Sequence, residues 1–374
     1  MQDKKNISVY VRNKDITPSS YYRIIQYVNF LDGNVVVRDI APKKLYEKHM
    51  NTDKKNKLSY LVLGFIYYIV MLSRVTYFLL IDLINKPQHV IVSKLFCPRY
   101  TPVFLEFLIK KVSQRSSLYW DFDDNIFERN EISKKEKIIL ELNSKAIVVT
   151  SDFLKSKINS VYHNKVVLLP TTDGDLQGFD EELLREKRKA TYFNKIKIVW
   201  VATAANMPNL ENIIGVLDET AKILKETTQK QLELIVVCNK PLVYSTENLK
   251  ITNIKWTREA AKEQIYDSHI GIMPLIYGEY ALGKGGFKLV QYMSTALPVI
   301  ASNVGFNDQV VKNNSGILVN DIKSNEGWIQ AVLNLSKSYE KWTLYSNNAY
   351  KRWNESFSFE QNLKTWNDLL NEGE

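Results

Sequence analysis

A stretch of 49 residues, 271–319, constrains the fold of this chain more than any other segment. An apolar strand (residues 269–275) leads into a loop with four glycines, and a helix and a second apolar strand (298–302) follow. Glycines let a backbone approach a ligand closely, and a helix N-terminus offers unpaired N–H groups and a partial positive charge. Lys284 and Lys288 add full charges. The pattern predicts a phosphate or diphosphate site, with an ordinary α/β loop as the alternative.

Apolar runs alternate with helical stretches along both halves of the chain, which is typical of parallel, doubly wound sheets. A length of 374 residues fits two domains of roughly 180 residues each. The charged segment 171–194 interrupts the pattern and is the expected linker. The predicted strands cover residues 7–11, 35–38, 89–93, 118–120, 146–150, 166–169, 196–202, 232–238, 251–256, 269–275 and 298–302. The predicted helices include residues 21–31, 209–225, 258–268 and 359–370.

Composition indicates a soluble globular protein, with 45% hydrophobic and 24% charged residues. The two cysteines, Cys97 and Cys238, are too few and too far apart for a disulfide framework or a zinc knuckle. A reducing cytoplasm is the expected compartment. The N-terminal residues MQDKKNISVYV lack the apolar core of a signal peptide, which agrees with that expectation.

The glycine-rich block resembles the donor-binding signature of glycosyltransferase family 4. Residues 288–302 read KLVQYMSTALPVIAS, and Val304-Gly305 and GILV at 316–319 continue the same pattern. The resemblance implies the GT-B fold, in which two Rossmann-like domains with parallel sheets face each other across an interdomain cleft. It assigns residues 1–180 to an acceptor-binding domain and 190–355 to a sugar-nucleotide domain. Residues 356–374 then form a helix that returns to the first domain.

The resemblance also assigns a donor site. Lys288 neutralises the phosphate charge that grows as the nucleotide leaves, although a solvated helix lysine is the alternative. Gln291, one turn later, holds the ribose hydroxyls. The set predicted to bind the donor is Thr203, Asn206, Glu279, Gly283, Lys284, Gly285, Gly286, Phe287, Lys288 and Gln291.

Two departures from the family pattern stand in this site. The family pairs two glutamates eight positions apart, where this chain has Gly283 and Gln291. Glu279, four residues before Gly283, is the predicted substitute. The family's Arg and Lys after the first strand of this domain are also absent, so Thr203, Ala204 and Asn206 are expected to offer hydroxyl, backbone and amide donors in their place.

Three carboxylates end a predicted strand in the N-terminal half: Asp121, Asp123 and Asp124, within the sequence LYWDFDDN. Many relatives carry a histidine here, and some carry a D-x-D-D run. These acids are predicted to be catalytic, by orienting an acceptor hydroxyl or acting as a base. A metal-binding D-x-D is a rival interpretation, although GT-B enzymes generally work without a metal, and a helix-capping cluster is another.

A short S-x-x-x-R-x-x-Q piece at residues 19–26 matches the first loop and helix of some relatives. By resemblance that loop faces the cleft, so Ser20 and Arg23 are predicted to contact the acceptor or the donor diphosphate. An ordinary arginine at the surface or the rim of the core is the alternative.

Charge is unevenly distributed. Residues 1–170 hold 27 Lys+Arg against 16 Asp+Glu (27 − 16 = +11), and the remainder holds 23 against 25 (23 − 25 = −2), which together give the net +9. This asymmetry suggests an anionic partner, either nucleic acid or an anionic membrane leaflet. No zinc knuckle, helix-turn-helix or RNP motif accompanies it, so no nucleic acid is expected.

Residues 58–73 carry no charge, and apolar character resumes after Arg74. Sixteen uncharged residues fall short of the roughly 20 that span a bilayer. The default interpretation is a core helix packed on the sheet. The alternative is a peripheral membrane contact beside Lys54, Lys55 and Lys57.

The expected function is that of a cytoplasmic glycosyltransferase, peripheral at the inner face of the cell membrane. It moves a sugar from a UDP, GDP or dTDP donor to a lipid-linked glycan of a bacterial surface polysaccharide. Following its family, it is expected to be retaining and to need neither metal nor cofactor. The alternatives are a catalytically weak GT-B subunit that binds glycan or supports a partner, and a sugar-nucleotide epimerase.

Overall fold

A computed structural model of the protein describes residues 5–52, 57–128, 130–320 and 325–372. The chain forms two compact units: unit 1 contains residues 1–171 and 360–374, and unit 2 contains residues 172–359. Lys54 and Lys55, which the sequence places beside a membrane contact, lie outside the described residues.

Unit 1 is built on a parallel six-stranded sheet in the order β2-β1-β3-β4-β5-β6. Its strands are β1 (Asn6–Val11), β2 (Asn34–Asp39), β3 (His89–Ser93), β4 (Ser117–Phe122), β5 (Ser144–Val149) and β6 (Val166–Leu168). Its helices are α1 (Pro18–Arg23), α2 (Lys43–Asn51), α3 (Lys57–Asn85), α4 (Val103–Ser113), α5 (Lys134–Asn143) and α6 (Asp152–Ser156).

Unit 2 has a second parallel six-stranded sheet, in the order β12-β11-β10-β7-β8-β9. Its strands are β7 (Lys195–Val201), β8 (Gln231–Cys238), β9 (Lys250–Lys255), β10 (Ile270–Met273), β11 (Val299–Ser302) and β12 (Gly316–Val319). Its helices are α7 (Glu181–Tyr192), α8 (Met207–Thr228), α9 (Arg258–Asp267), α10 (Glu279–Leu282), α11 (Phe287–Ser294), α12 (Asn307–Val310), α13 (Asn325–Lys337) and α14 (Tyr339–Ser356). A last helix, α15 (Phe359–Asn371), lies mostly in unit 1.

The strand order reverses once in each sheet. In unit 1 the chain runs from β1 outward to β2 and then returns to β3 on the other side of β1. In unit 2 it runs from β7 through β8 to β9 and then returns to β10, on the other side of β7. Open α/β sheets bind ligands at the carboxyl ends of their strands where the order reverses. The loops after β1 and β3, and after β7 and β10, are therefore the expected positions for a ligand.

The segment 171–194, expected to be a linker, contains helix α7 within unit 2. The Asp180 side chain caps this helix by accepting from the backbone of Glu182 and Leu183. Arg188 is buried and donates to the carbonyls of Tyr266 at 3.1 Å and Thr295 at 2.8 Å. Because these carbonyls satisfy the guanidinium, a charged segment packs as a helix against the domain.

Helix α3 combines a buried and an exposed apolar face. Its buried residues recur every four positions, from Leu63 to Leu79, and pack on the sheet. The helix continues past Arg74 because that guanidinium donates to the carbonyl of Asp39 at 2.7 and 3.0 Å. Its exposed apolar residues are Leu58, Leu61, Val62, Phe65, Ile66, Ile69, Tyr77, Leu80 and Ile84.

The neighbouring helix α4 packs beside α3 and adds Val103, Phe104 and Phe107, which are 50–68% exposed. We call these exposed residues of α3 and α4 the apolar surface of unit 1. The core-helix interpretation therefore holds for one face of α3 only. Among the described residues, α3 alone is long and apolar enough to cross a membrane by length and composition, with 22% of its most apolar window buried.

Candidate functional site

The glycine-rich loop of unit 2 runs from the end of β10 to the start of α11. It contains the short helix α10, which the sequence did not predict, and ends at Gly286, the N-cap of α11. Gly286 has φ +64°, a left-handed conformation that glycine adopts without strain. Gly305, with φ +60°, lies so close to α10 that a Cβ atom would be 2.9 Å from the carbonyl oxygen of Leu282. The loop is thus held tightly by positions where only glycine fits.

Helix α11 is anchored to the sheet by Tyr292. The ring packs directly on Gly271 of β10, where an added Cβ would lie 2.3 Å from its Cδ2 atom. The buried tyrosine hydroxyl accepts a 2.9 Å hydrogen bond from the backbone N–H of Val201 at the end of β7. These two contacts fix α11 against the sheet at the reversal between β7 and β10.

Lys284, in the glycine-rich loop, and Lys288, in the helix that follows, lie at this edge of the sheet. Lys288 is the second residue of α11 and is half-buried. The Lys284 ammonium lies 4.1 Å from the centre of the Tyr280 ring, a cation–π contact. Glu279 is exposed in the first turn of α10, and Phe287 opens α11 half-buried. The loop therefore concentrates positive charge beside the backbone N–H groups of the helix start.

The loop after β7 lies at the same reversal and contains Thr203 and Asn206. The Asn206 side chain donates to the Thr203 hydroxyl at 3.1 Å, so these two predicted residues form one polar pair. The Asn206 Oδ1 atom is buried without a hydrogen-bond partner. The amide nitrogen of Asn206, predicted to donate to the donor nucleotide, is thus bonded to Thr203, and its amide oxygen is enclosed.

Two asparagines that the sequence did not single out tie these loops together. Asn209, in the first turn of α8, accepts a 2.8 Å hydrogen bond from the backbone of Ile276 in the glycine-rich loop. Asn239, after β8, accepts from the backbone of Ala204 at 2.8 Å. Such contacts between distant segments leave no periodicity in a sequence, and therefore no signal.

Gln291 lies one turn into α11 and is buried. Its Nε2 atom donates a 2.7 Å hydrogen bond to Oδ2 of Asp173, near the start of unit 2. Asp173 is also buried, and burial raises the pKa of its carboxyl to about 6. Sequence reasoning missed Asp173, which stands 118 residues from its partner.

In unit 1, Arg23 and Asp121 form a buried ion pair. Nη2 of Arg23 lies 2.5 Å from Oδ1 of Asp121, and Nη1 donates to the carbonyl of Leu169 and to the Thr171 hydroxyl. Burial raises the pKa of Asp121, and the Arg23 guanidinium opposes that shift. Ser20 is buried in the same helix, α1. The catalytic assignment of Asp121 stays a prediction, while its buried ion pair with Arg23 is typical of a residue that stabilises the fold.

Helix α1 ends at Arg23, whereas the sequence predicted a continuous helix over residues 21–31. Ile24 leaves the helical region, with φ −136°, and a 3₁₀ helix follows at Ile25–Phe30. The break lies directly after the buried arginine.

Asp123 and Asp124 follow β4 and share one cation. The Lys94 ammonium lies 3.0 Å from a carboxylate oxygen of each, and the three side chains are 16–35% exposed. Sequence reasoning missed Lys94, which follows β3 at the strand reversal. Burial alone lowers the pKa of Lys94, but the charges of Asp123 and Asp124 outweigh it and raise the pKa.

Lys94 has φ +68°, an uncommon conformation for a residue with a side chain. Its backbone is held by Asp121, whose carbonyl accepts from Lys94 N–H at 2.6 Å, and by the Trp120 indole, which donates to its carbonyl at 2.8 Å. No helix begins at the acid cluster, because α5 starts at Lys134 and is capped by Ser133. The described residues contain no group of three or more His, Cys, Asp or Glu side chains arranged to hold a metal.

Residues 195–338 match the protein family described as "Glycosyl transferases group 1". The matched segment contains β7 to β12 and therefore both loops of the candidate site. No curated protein matches the chain by sequence.

Solved structures match nearly the whole chain. A glycosyltransferase from Rickettsia africae ESF-5 is 13% identical with a TM-score of 0.61, covering 99% of this chain and 100% of that one. HepE of Anabaena in complex with UDP is 12% identical with a TM-score of 0.63, covering 98% and 99%. Sucrose-phosphate synthase from Thermosynechococcus elongatus is 11% identical with a TM-score of 0.58, covering 98% of each chain. The predicted GT-B fold, with two parallel six-stranded sheets, is confirmed.

Proposed function

We propose that this chain is a glycosyltransferase that takes a sugar from a nucleoside-diphosphate donor bound by unit 2. One observation carries the proposal: the glycine-rich loop, which contains Lys284 and leads to Lys288, is hydrogen-bonded to the first turn of α8, directly after Thr203 and Asn206, at the strand reversal of unit 2. Diphosphates bind at such places through helix N–H groups and cations. The match of residues 195–338 to group 1 glycosyltransferases and the UDP bound to HepE support this donor class.

The loop glycines, Lys288 and Gln291 each have a proposed role. Backbone N–H groups of Gly283, Gly285 and Gly286 surround the diphosphate, and Lys288 stabilises the charge that develops on the leaving phosphate. Gln291 accepts from the ribose. By the family resemblance, transfer is retaining and independent of metal. Asp123 and Asp124, held by Lys94, orient the acceptor hydroxyl in unit 1.

The acceptor is proposed to be a lipid-linked glycan of a bacterial surface polysaccharide, reached at the inner face of the cell membrane. Two features of unit 1 support the proposal that the protein associates with a membrane. Its sequence up to residue 170 carries a charge of +11, from 27 basic against 16 acidic residues, which favours an anionic leaflet. The apolar surface of α3 and α4 offers side chains for shallow insertion, and Lys57, Lys110 and Lys111 lie on the same helices.

Donor binding is tested by a thermal-shift panel of UDP, GDP, dTDP and CDP, followed by calorimetric titration. One of them should bind, and a ligand at 100 times its Kd should stabilise the protein by about 2.7 kcal/mol. Lys288→Ala should weaken binding by about 1.5–3 kcal/mol, as for a hydrogen bond to a charged group. Lys222→Ala, an exposed lysine in the middle of α8, is the matched control and should change nothing. Failure of all four nucleotides to bind, or equal affinity in the Lys288 variant, contradicts the donor assignment.

Membrane association is tested by co-sedimentation with phosphatidylglycerol and phosphatidylcholine vesicles at low and high salt. Binding should favour the anionic vesicles and weaken with salt, because each Lys or Arg near the leaflet contributes about 1 kcal/mol within a Debye length. Phe104→Ser with Phe107→Ser should reduce it at both salt concentrations, as should Lys57→Glu with Lys110→Glu at low salt. Tyr244→Ser, an exposed aromatic change in unit 2, is the control. Equal binding to both lipids, or to neither, contradicts this part of the proposal.

A second candidate function is a GT-B subunit that binds donor without efficient transfer. It is favoured by Gly283, which stands where the family has a carboxylate, and by Asp121, which is bound to Arg23. The test is an assay with lipid-linked acceptors extracted from cells that make the polysaccharide. A protein that binds the donor but shows neither sugar transfer nor slow hydrolysis of the donor would favour this candidate.

A further inference from the structure

The contact between Gln291 and Asp173 is more than a link between two segments. Nε2 of Gln291 donates to Oδ2 of Asp173 at 2.7 Å, and both residues are less than 9% exposed. The second carboxylate oxygen, Oδ1, accepts a 3.0 Å hydrogen bond from the backbone N–H of Asp175. Both oxygens of Asp173 are thus engaged, so the carboxylate is held in one orientation.

This contact decides which end of the Gln291 amide is offered to a ligand. A carboxylate can only accept hydrogen bonds, whereas an amide has a donor end and an acceptor end. Since Asp173 engages the amide nitrogen, the carbonyl oxygen Oε1 is the atom left for another partner. Gln291 stands three positions after Lys288, and residues three apart lie on neighbouring parts of a helix face. Oε1 is therefore an acceptor beside the proposed diphosphate site.

We propose that Asp173 is a positioning residue for ribose recognition: it orients the Gln291 amide so that Oε1 accepts a hydrogen bond from a ribose hydroxyl of the donor nucleotide. This inference rests on the proposed function, because it assumes that a nucleoside diphosphate binds at α11. It assigns a role to a residue outside the glycine-rich block, in the segment that opens unit 2.

The pair also explains the residue type at position 291. A glutamate there would place a second carboxylate at the 2.7 Å contact with Asp173, inside the protein. Two buried carboxylates at such a distance cannot both be ionised, so one would take a proton. Gln291 avoids that cost and keeps an acceptor oxygen. Asp173 and Gln291 are therefore expected to require each other. Moving the amide to position 173 and the carboxylate to position 291 should preserve the hydrogen bond.

A purely structural role makes a different prediction. If Asp173 only ties the segment 172–176 to α11, its removal lowers stability and weakens all nucleotides alike. If it orients Gln291, its removal weakens only ligands that carry the hydroxyl. The ratio of affinities for UDP and for 2′-deoxy- and 3′-deoxy-UDP separates the two roles, because these probes differ by one oxygen.

The experiment is calorimetric titration of the full chain with UDP, 2′-deoxy-UDP and 3′-deoxy-UDP. In the wild type, UDP should bind about fivefold more tightly than at least one deoxy analogue, the effect of one net hydrogen bond. Asp173→Ala should lower UDP affinity to the level of that analogue and leave the analogue's own affinity unchanged. Asp173→Asn, which keeps the shape and an acceptor oxygen, should retain part of the preference and serves if the alanine variant does not fold.

The exchange variants complete the test. At a pH high enough to remove the shared proton, Gln291→Glu alone should lose the preference for UDP, and Asp173→Asn combined with Gln291→Glu should restore it, because the asparagine amide donates to the glutamate without that proton. An unchanged UDP preference in Asp173→Ala, an equal loss for all three nucleotides, or no rescue by the double variant overturns the proposal. A wild type that binds UDP without discriminating the analogues also overturns it. Absence of any nucleoside diphosphate binding instead contradicts the proposed function.

Discussion

The guanidinium of Arg23 and the carboxylate of Asp121 are joined inside unit 1, where neither side chain exceeds 1% exposure. Arg23 ends α1 and Asp121 is the penultimate residue of β4, so the pair connects the first helix to the centre of the sheet. Of the three clustered acids, this leaves Asp123 and Asp124, the partners of Lys94, within reach of solvent.

Removing one member of this pair should destabilise the protein strongly. Asp121→Asn leaves the Arg23 charge buried and poorly compensated, which costs about 3–5 kcal/mol. Thermal unfolding followed by circular dichroism should therefore show a much lower Tm. Lys351→Met breaks an exposed pair with Glu355 and, as the control, should cost about 0–1 kcal/mol. An Asp121 variant as stable as this control would show that the buried pair is not ionised.

Asp123 and Asp124, which are partly exposed, should matter for turnover and not for donor binding. Asp123→Asn or Asp124→Asn should lower kcat, because the changed carboxylate no longer orients the acceptor, while nucleotide affinity stays within error. Steady-state kinetics with a working donor and acceptor, beside calorimetry, measures both. Asp15→Asn, an exposed change in the same unit, is the control. Full turnover in both variants would remove these residues from the catalytic machinery.

Much of the fold follows from the sequence because strands in parallel sheets are continuous apolar runs. β3 is predicted to the residue, and most other strands are predicted within two residues of either end. Errors arise where tertiary contacts override local pattern. Arg74 interrupts the apolar run, but its guanidinium donates to the carbonyl of Asp39 and α3 continues to Asn85, for a total length of 29 residues. The charged segment of α7 packs because Arg188 finds buried carbonyls.

The candidate site is predictable only where it is local. The glycines and lysines of the loop after β10 stand close together in sequence, so their pattern is visible. Asp173 and Lys94 act through partners 118 and about 30 residues away, and nothing in a single sequence marks such pairs. The exposure of one face of α3 is likewise not predictable from the sequence. An apolar helix has the same residue pattern whether all of it packs in the protein core or one face lies at the surface.

The close contact between Gly271 and Tyr292 should make α11 sensitive to a single methyl group. Gly271→Ala would bring a Cβ atom within 2.3 Å of the tyrosine ring, which must then move with the helix. We expect a stability loss of about 1–3 kcal/mol from this overpacking, together with weaker nucleotide binding. Calorimetry and urea unfolding measure the two effects.

Gly215→Ala is the matched control, because nothing lies within 4 Å of its Cβ position in helix α8. That change should raise stability by about 0.4–1 kcal/mol and leave binding unchanged. Equal stability of the two alanine variants would show that Tyr292 adapts without displacing α11.

His269 should make unit 2 sensitive to acid. The imidazole is fully buried: Nδ1 accepts a 2.9 Å hydrogen bond from the backbone of Lys197, and Nε2 lies 3.0 Å from the carbonyl of Arg188. This arrangement fits the neutral ring, and burial lowers the pKa of His269 to about 4 from the ordinary 6.5. Between pH 6.5 and 4 the unfolded chain binds a proton that the folded chain does not. Stability should therefore fall as the pH falls through this window.

The loss should reach about 3 kcal/mol by pH 4, from 1.36 kcal/mol per unit of pKa difference. Urea unfolding at pH 7.5, 6 and 4.5, followed by circular dichroism, measures it. His269→Gln should flatten the dependence relative to wild type, because glutamine does not titrate. His163→Gln, a change at a partly buried histidine of unit 1, should leave the slope unchanged. Parallel pH profiles for wild type and His269→Gln would show that other groups govern acid unfolding of unit 2.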